Sequence, residues 1–250
     1  MPPPSPTDRT DISAIEPSAP VVEVCSLAVA YRERTGVHLA LEDVDLTLLP
    51  GERVGILGES GSGKSTLAAA LLGRLPDHAR VTAGSVRIRG VDVFSAPSAR
   101  RTIPGRVVGL VPQEPARALH PMKRIGRMVA EVVRSHRPGE LAPGSAVVGA
   151  LLELVELGPD PRFAAAFPHQ LSGGERQRAV LARALAGNPA VLVADECLAA
   201  SDARRRLRLM RTLRTAAAAS GAALLVISHD PADLRHLVDQ VLVLHRGRVV

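Results

Sequence analysis

A glycine-rich stretch at residues 58–66 constrains the fold more than any other part of the sequence. It consists of Gly58, Glu59, Ser60, Gly61, Ser62, Gly63, Lys64, Ser65 and Thr66. The apolar run 53–57 before it is typical of a buried parallel strand, and residues 67–73 after it favour a helix. This order directs backbone N–H groups and the positive end of a helix dipole at one point. We therefore predict that this P-loop (residues 58–66) binds a nucleoside triphosphate.

Two side chains of the P-loop are expected to carry its chemistry. Lys64 reaches the β- and γ-phosphates in such loops, and the Ser65 hydroxyl is positioned to bind Mg²⁺. Lysine is scarce, because Lys64 and Lys123 are the only lysines among 31 basic residues. The alternative, a glycine-rich turn with an accidental lysine, is disfavoured by the flanking strand and helix.

Composition sets broad limits on the function. Of the 250 residues, 46% are hydrophobic but only 2% are aromatic, so the core must be built from Ala, Val and Leu. The net charge of +6 is compatible with an anionic membrane surface or nucleic acid. The arginines are scattered, however, and aromatic stacking platforms for single-stranded nucleic acid are missing. We favour a compositional bias and predict no nucleic-acid partner.

Cysteine usage and hydropathy indicate a cytosolic protein. Cys25 and Cys197 imply neither a disulfide framework nor a cysteine-based metal cluster. The longest apolar stretch, 216–227, is too short to span a bilayer, and the proline-rich start lacks the apolar region of a signal peptide. If the protein works at a membrane, we expect another protein to hold it there.

The pattern along the chain predicts an α/β fold. Residues 1–20 are rich in proline and predict a disordered tail before a domain spanning 21–250. Partly alternating segments at 21–31 and 37–49, together with a short strand bounded by glycines at 83–90, predict an antiparallel β layer beside the nucleotide. The closing segment 241–250 predicts a hairpin.

The second half of the pattern predicts a P-loop NTPase core. Unalternating apolar runs at 107–111, 191–194 and 222–227 are typical of buried parallel strands. Helical periodicity begins at 125 and includes segments 125–134 and 146–155. We predict a mostly parallel sheet with helices on both faces and an inserted α-helical subdomain at about 114–186.

Two carboxylates, Asp195 and Glu196, end the predicted strand 191–194. Carboxylates at the end of a buried strand cost desolvation free energy unless a cation meets them. Asp195 suits the Mg²⁺ shell opposite Ser65, whereas Glu196 could polarise the attacking water. The alternative is a plain strand end that continues into a polar loop. The presence of the P-loop disfavours this alternative.

A second anion site is predicted at the start of the helical run 176–186. The segment that precedes this run is Leu171, Ser172, Gly173, Gly174 and Glu175. Serine and glycine at a helix N-terminus can bind an anion, although alone they more often form only a turn and an N-cap. A chain that already holds one triphosphate cradle could use this segment on a partner's nucleotide.

Three isolated residues are weaker candidates. Gln113 and His229 follow the predicted strands 107–111 and 222–227, at the carboxyl ends where such sheets bind ligands. Tyr31, the sole tyrosine, could stack on a base. For Tyr31 core packing is an equal alternative, and lone Gln or His residues are usually structural.

These features together carry a family resemblance. They are, in chain order, Tyr31, residues 58–66, Gln113, residues 171–175, Asp195, Glu196, Asp202 and His229. Over about residues 21–250 the chain resembles the ATP-binding subunits of ABC transporters, whose signature is the Leu-Ser-Gly-Gly-Glu segment. The resemblance implies ATP with Mg²⁺, and a head-to-tail dimer that sandwiches two ATP molecules.

The resemblance also implies roles for individual residues. Tyr31 stacks on adenine, and Gln113 lines the Mg²⁺ and water while coupling to the membrane partner. Residues 172–175 close over the γ-phosphate held by a second subunit. Glu196 is the general base, and His229 is the switch histidine.

Asp202 lies in the D-loop by the same resemblance, but the residues before it depart from the family. The family usually continues Asp-Glu with Pro-Thr-x-x-Leu-Asp, whereas this chain has Cys197, Leu198, Ala199, Ala200 and Ser201 before Asp202. The coupling between the two ATP sites is therefore in question. The chemistry itself is expected to survive, because Glu196 and His229 are intact.

Short segments are similar to the peptide and nickel importer branch of the family. They are 81–85, 113–121 (Gln-Glu-Pro-Ala-Arg-Ala-Leu-His-Pro) and 167–174. The chain ends at Val250, so we expect it to lack the C-terminal extension of many peptide-importer subunits.

The expected function is an ATPase subunit that powers an importer of peptides, or of nickel or similar metal complexes, from the cytoplasmic face of the membrane. Its expected partners are integral-membrane permeases, a second ATP-binding subunit and, indirectly, an extracytoplasmic substrate-binding protein. One alternative is a soluble ABC-type ATPase of DNA repair or translation. Another is a weakly hydrolysing subunit paired with an active one.

Overall fold

The computed structural model describes residues 19–33, 36–95, 105–140, 146–158, 160–198 and 202–250. Apart from residues 19 and 20, the predicted disordered tail lies outside these ranges. The strands within them are β1 Val22–Glu33, β2 Gly36–Leu48, β3 Arg53–Leu57, β4 Ala79–Ile88, β5 Val91–Asp92, β6 Val108–Val111, β7 Val191–Asp195, β8 Ala223–Ser228, β9 Gln240–His245 and β10 Arg248–Val249.

The helices follow the same chain order. They are α1 Lys64–Leu71, α2 Pro115–Ala118, α3 Ile125–His136, α4 Val147–Leu154, α5 Pro161–Ala165, α6 Gly173–Leu185, α7 Ala203–Ser220 and α8 Pro231–Leu234. Short 3-10 turns lie at Pro138–Glu140 and Pro168–Gln170. Among the described residues, no helix is both long and apolar enough to cross a membrane.

The N-terminal strands form an antiparallel sheet in the order β2-β1-β4-β5. Alternating side chains of β1 and β2 are buried, as expected for a sheet with one face on the core. The predicted antiparallel layer is confirmed. Its third strand begins at Ala79 instead of residue 83, because residues 79–81 pair with Tyr31, Ala30 and Val29 of β1.

The second sheet has the order β10-β9-β3-β8-β7-β6, and β9, β3, β8, β7 and β6 run parallel. Every residue of β8 is buried, because apolar side chains cover both of its faces. The carboxyl ends of β3, β6, β7 and β8 meet at one edge. The loops after these strands therefore share that edge, which is where ligands bind in such sheets.

Two hydrophobic clusters enclose the parallel sheet. One contains the antiparallel sheet and α1, including Leu41, Leu67 and Leu71, and the other contains α3, α6 and α7. The predicted mostly parallel core, antiparallel layer and helical insert are all present. The precise limits of the inserted subdomain, 114–186, stay a prediction, although α2 to α6 fall within them.

The C-terminal hairpin combines β9 and β10, which pair antiparallel through His245 and Arg248. The predicted hairpin is confirmed. Its first strand also pairs in parallel with β3, from Val54 opposite Gln240 to Leu57 opposite Val243. Through this pairing the hairpin supports the strand that leads into the P-loop.

Candidate active site

The P-loop is a tight cradle that only glycine can form at two of its positions. A Cβ atom on Gly58 would lie 2.4 Å from Ser62 Oγ and 2.5 Å from the Leu244 carbonyl oxygen. Gly63 has φ +107, and a Cβ atom there would lie 2.6 Å from the Ala40 carbonyl oxygen. The backbones of the antiparallel layer and of the C-terminal hairpin thus pack closely against the P-loop and fix its conformation.

The start of α1 is arranged for an anion. Gly63 precedes α1 and makes no side-chain capping hydrogen bond, so the first N–H groups of the helix are available to a ligand. Ser62 Oγ is buried and has no hydrogen-bond partner. A phosphate oxygen could accept hydrogen bonds from these groups, so the residues present fit a nucleotide triphosphate.

Lys64 is the first residue of α1, and only 4% of its surface is exposed. Its Nζ donates to the carbonyl oxygens of Gly58 at 2.8 Å and Glu59 at 2.7 Å. The same Nζ lies 3.6 Å from Glu196 Oε1. The P-loop ammonium and the carboxylate after β7 therefore share one site.

Glu196 lies between Lys64 and His229, and its backbone has a left-handed conformation. Its φ of 45° is in the left-handed region, and its N–H donates to the Ile227 carbonyl oxygen at 2.9 Å. Glu196 Oε1 faces Lys64, and Oε2 lies 3.8 Å from His229 Nδ1. The imidazole of His229 is about half exposed (54%) and so remains accessible.

Burial raises the pKa of Asp195, and the neighbouring Glu196 charge raises it further. The Lys64 ammonium acts in the opposite direction and lowers it. An ionised carboxylate in this position gains from a further cation nearby. Asp195 therefore fits a role as a Mg²⁺ ligand.

Gln113 and Ser65 complete the predicted metal set. Gln113 is exposed two residues after β6, and the pairing of Val111 with Ala194 brings its loop to the level of Asp195. Ser65 is exposed in the first turn of α1. The sheet register thus brings the loops that carry the three predicted ligands to the same edge.

The signature segment (residues 171–175) forms the N-terminal cap of α6. Ser172 Oγ accepts from the Glu175 N–H at 3.3 Å, and the Ser172 N–H donates to Glu175 Oε2 at 2.7 Å. The hydrogen bond from the Ser172 N–H to the carboxylate, followed by one from the Ser172 side chain, lowers the pKa of Glu175. The turn and N-cap of the alternative interpretation are present, and Ser172 and Gly173 are also exposed to an incoming group.

A cationic cavity of about 700 Å³ opens beside the signature segment. Its charged lining consists of Arg178, Arg204, Arg205, Arg208, Arg211, Glu156 and Glu175. Burial lowers the pKa of Arg178, and the neighbouring charge of Arg208 lowers it further. Positive charge at the start of α6 supports the prediction of a second anion site.

Comparison with known proteins decides the family. The family described as ABC transporter matches residues 41–199 of this chain. The chain belongs to this family. The predicted family and fold class are thereby confirmed.

Individual ABC proteins are similar over most of the chain. The oligopeptide transport ATP-binding protein OppD of Mycobacterium tuberculosis is 39% identical over 235 residues, which is 93% of this chain and 38% of OppD. A Brucella abortus protein named as a peptide import ATP-binding protein is 38% identical, over 93% of this chain and 70% of its own. The chain thus spans well under two thirds of OppD.

A solved ABC cassette has the same fold. The structure is described as a dimeric post-hydrolysis state of the ATP-binding cassette MJ0796 bound to ADP and Pi. It superposes with a TM-score of 0.79 at 28% identity, covering 91% of this chain and 96% of that chain.

Tyr31, the predicted adenine platform of this ABC domain, packs at the edge of the first hydrophobic cluster. Its hydroxyl is 3.2 Å from Thr66 Oγ1, and its ring meets His78 edge-on with a centroid distance of 5.4 Å. These contacts anchor the ring next to the P-loop. Its stacking role stays a prediction.

The ABC signature helix is tied to the active-site loop by a residue that the sequence did not reveal. Gln177 is buried in α6, and its Nε2 donates to the Cys197 carbonyl oxygen at 2.8 Å. Cys197 is buried, which raises its thiol pKa to about 12. The only sequence signal was a glutamine on the apolar side of a helix.

Asp202, the predicted D-loop residue of the ABC fold, caps α7. Its Oδ1 accepts from the Arg205 N–H at 3.0 Å. Residues 199–201 lie outside the described residues, so the segment 197–201 is seen only at Cys197 and Leu198. The predicted role of Asp202 at a nucleotide stays a prediction.

Proposed function

We propose that this chain is the ATP-binding and ATP-hydrolysing subunit of an ABC importer. The observation that carries the proposal is the position of Glu196, with one carboxylate oxygen 3.6 Å from Lys64 Nζ and the other 3.8 Å from His229 Nδ1. A general base must lie within reach of both the water and the group that steadies the transferred phosphoryl. The contacts of Glu196 with Lys64 and His229 support this role.

Different residues of the chain have different roles in ATP hydrolysis. The P-loop N–H groups and Lys64 hold the β- and γ-phosphates and neutralise charge that develops on the γ-phosphoryl oxygens. Glu196 accepts the proton of the attacking water, and His229 orients that water and the phosphate. Ser65, Asp195 and Gln113 would hold Mg²⁺, which would supply positive charge to offset that of the triphosphate.

The signature segment is proposed to act on a second subunit's ATP. Its exposed Ser172 and Gly173 begin a helix beside a cationic cavity, so they can meet the γ-phosphate across a head-to-tail dimer. The MJ0796 cassette, at 28% identity, is described as dimeric, which supports this arrangement. ATP binding closes such a dimer if it favours the closed state over the open one.

The proposed cargo is peptides. The OppD and Brucella relatives carry names that refer to oligopeptide and peptide transport, which favours peptides over nickel or other metal complexes. The partners would be permease subunits in the membrane, a second ATP-binding subunit and an extracytoplasmic substrate-binding protein. The chain would work at the cytoplasmic face of the membrane.

The test of the proposed chemistry is Glu196→Gln. The amide keeps the size of the side chain but cannot accept the water proton, so we expect turnover to fall about 10³-fold or more. Binding of ATP should stay within about threefold, because the P-loop is intact. Phosphate release and binding of a fluorescent ATP analogue measure the two quantities.

The matched control is Glu153→Gln, which makes the same chemical change at an exposed position of α4. It should retain wild-type turnover. Full ATPase activity in Glu196→Gln would contradict the proposed role of Glu196.

The magnesium site is tested by Asp195→Asn. Because burial raises the Asp195 pKa, its ionised form costs folding free energy, and removing the charge should raise Tm by about 2–4 °C at pH 7. Mg²⁺-dependent turnover should fall about 10²-fold or more. Thermal unfolding and a Mg²⁺ titration of ATPase activity are the measurements.

The raised pKa of Asp195 also predicts how the Tm difference between Asp195→Asn and the wild type depends on pH. The cost of the Asp195 charge is fully present above the raised pKa and disappears below the ordinary value of 3.8, where the carboxyl is neutral in both states. The Tm difference between Asp195→Asn and wild type should therefore shrink as the pH falls toward 4. A difference that grows on acidification would contradict this account.

Two alternatives are separable by one further comparison. A soluble ABC-type ATPase would hydrolyse ATP at full rate without membrane partners. A weakly hydrolysing subunit would remain slow alone and in a complex with permeases, unless a second ATP-binding chain joins. ATPase rates of the lone subunit and of the co-purified complex distinguish the three cases.

A further inference from the structure

The loop that carries His229 is fixed by a charged network reaching from α7. Arg206 Nη1 donates to Asp230 Oδ2 at 3.0 Å and to Asp233 Oδ1 at 3.2 Å. Arg206 lies in the first turn of α7, where its N–H donates to the Asp202 carbonyl oxygen at 2.9 Å. One guanidinium therefore joins the residues after the D-loop to both carboxylates of the histidine loop.

Hydrogen bonds inside the loop extend this network to the residues on either side of His229. Ser228 Oγ donates to Asp233 Oδ2 at 2.9 Å, and the Asp230 N–H donates to Ser228 Oγ at 3.0 Å. Asp230 Oδ1 in turn accepts from the Ala232 N–H at 2.9 Å. The backbone before and after His229 is thus held on both sides by groups that Arg206 contacts.

The burial of Asp233 makes Arg206 important. Asp233 is 2% exposed, and a carboxylate taken out of water needs a cation together with hydrogen bonds. The hydrogen bond from the Ala232 N–H, followed by the contact with Arg206, lowers the pKa of Asp230. Loss of the guanidinium would remove the hydrogen bonds that tie both carboxylates to α7, so the backbone on either side of His229 would be free to shift.

We propose that Arg206 is a positioning residue, which holds His229 against Glu196 and links the start of α7 to the histidine. The proposal rests on the proposed ATPase function, because it concerns the histidine of that site. A rearrangement at Asp202, the N-cap of α7 four residues before Arg206, would reach His229 through this guanidinium. The 3.8 Å separation of His229 Nδ1 and Glu196 Oε2 is the geometry that depends on it.

The first test compares Arg206→Ala with Arg206→Lys and with Arg214→Ala. Displacing a reacting group by about 1 Å can cost up to 10²-fold in rate, so Arg206→Ala should lower kcat at least about tenfold. The Kd for ATP should stay within about threefold, because the P-loop is untouched. Arg206→Lys should recover part of kcat, and Arg214→Ala, an exposed arginine of the same helix, should retain it.

A second readout does not depend on turnover. The histidine side-chain resonances of the wild type are measured by NMR, and the His229 signal is assigned as the one missing from His229→Gln. We expect this signal to shift or broaden in Arg206→Ala and to stay in place in Arg214→Ala. If the wild type proved inactive even with its partners, the proposed function would fail, and this resonance would still decide the role of Arg206.

The double variant Arg206→Ala with Asp233→Asn separates positioning from charge compensation. Removing the buried carboxylate should restore the stability lost in Arg206→Ala. The double variant can therefore be measured even if Arg206→Ala does not fold. On our proposal, kcat stays low and the His229 signal stays displaced. Recovery of both in the double variant would overturn the proposal, as would an unchanged kcat and signal in Arg206→Ala.

Discussion

The two glycine-rich segments of the molecule, the P-loop and the signature segment, fold under opposite constraints. At Gly58 and Gly63 an added Cβ atom would come within 2.4 and 2.6 Å of neighbouring atoms. At Gly173 the same atom would meet nothing within 4 Å, and at Gly174 it would meet only the Arg178 guanidinium at 3.6 Å. The chain's own packing therefore requires glycine at positions 58 and 63 of the P-loop but at neither position of the signature segment.

This difference indicates what each segment is for. Glycine in a helix costs stability relative to alanine, so the glycines at the start of α6 are unfavourable for the isolated subunit. A close approach by a group from outside the chain would explain them. On the proposed function that group is the γ-phosphate of a second subunit, whereas the P-loop forms its cradle within one chain.

The largest expected effect on stability is that of Gly63→Ala. The backbone at φ +107 is strained for alanine, and the methyl group would clash with the Ala40 carbonyl. We expect a loss of about 3 kcal/mol in the free energy of unfolding, together with loss of ATP binding. Urea unfolding monitored by circular dichroism measures the first quantity.

The control for this prediction is Gly149→Ala, because Gly149 lies in α4 with nothing within 4 Å of an added Cβ atom. Its stability should be unchanged or higher. If Gly63→Ala were as stable as Gly149→Ala, the steric basis of the comparison would be wrong.

Next in size is the effect of Gly173→Ala on turnover. We expect the methyl group to keep the second subunit's phosphate at a distance and to lower the rate of the assembled transporter about 10²-fold. The stability of the lone subunit should not fall, since the position is open and helical. ATPase assays of the complex test the expected fall in turnover, and unfolding of the lone subunit tests the expected stability. A variant that is both fully active and unchanged in stability would remove the reason given for this glycine.

The smallest effect is the stability change in Ser172→Ala. Loss of the hydroxyl removes the cap of α6, which should cost about 1 kcal/mol, whereas Ser172→Thr should keep most of it. Turnover in the complex should fall in Ser172→Ala as in Gly173→Ala. The contrast lies in unfolding, where only Ser172→Ala should lose stability. Equal stability for Ser172→Ala and the wild type would mean that the capping box contributes nothing.

Local sequence patterns were sufficient to predict the strand, loop and helix around Lys64. The strand, the loop and the helix are each encoded in contiguous residues. The same holds for the apolar strand that leads into Asp195 and Glu196. The place of His229 after a buried strand made it only a weak candidate, and the family resemblance supplied its expected role. The structure places its Nδ1 3.8 Å from Glu196 Oε2.

Contacts between distant segments could not be predicted in the same way. The parallel pairing of β9 with β3, the link from Gln177 to Cys197 and the Arg206 network all join residues far apart in the sequence. Each depends on how elements pack and not on a periodic pattern. Composition alone attributes the arginines of α7 to a general bias, whereas in the structure Arg206 donates hydrogen bonds to two carboxylates.

On the proposed function, one chain holds the triphosphate in its P-loop while its signature segment acts on the nucleotide of a second subunit. Calorimetric titration of ATP with Mg²⁺ into the purified wild type, Lys64→Ala and Gly173→Ala tests it most directly. We predict one ATP per wild-type chain, an affinity at least about 100-fold lower in Lys64→Ala, and a change within about threefold in Gly173→Ala. Absence of binding to the wild type, or an equal loss of affinity in both variants, would contradict the claim.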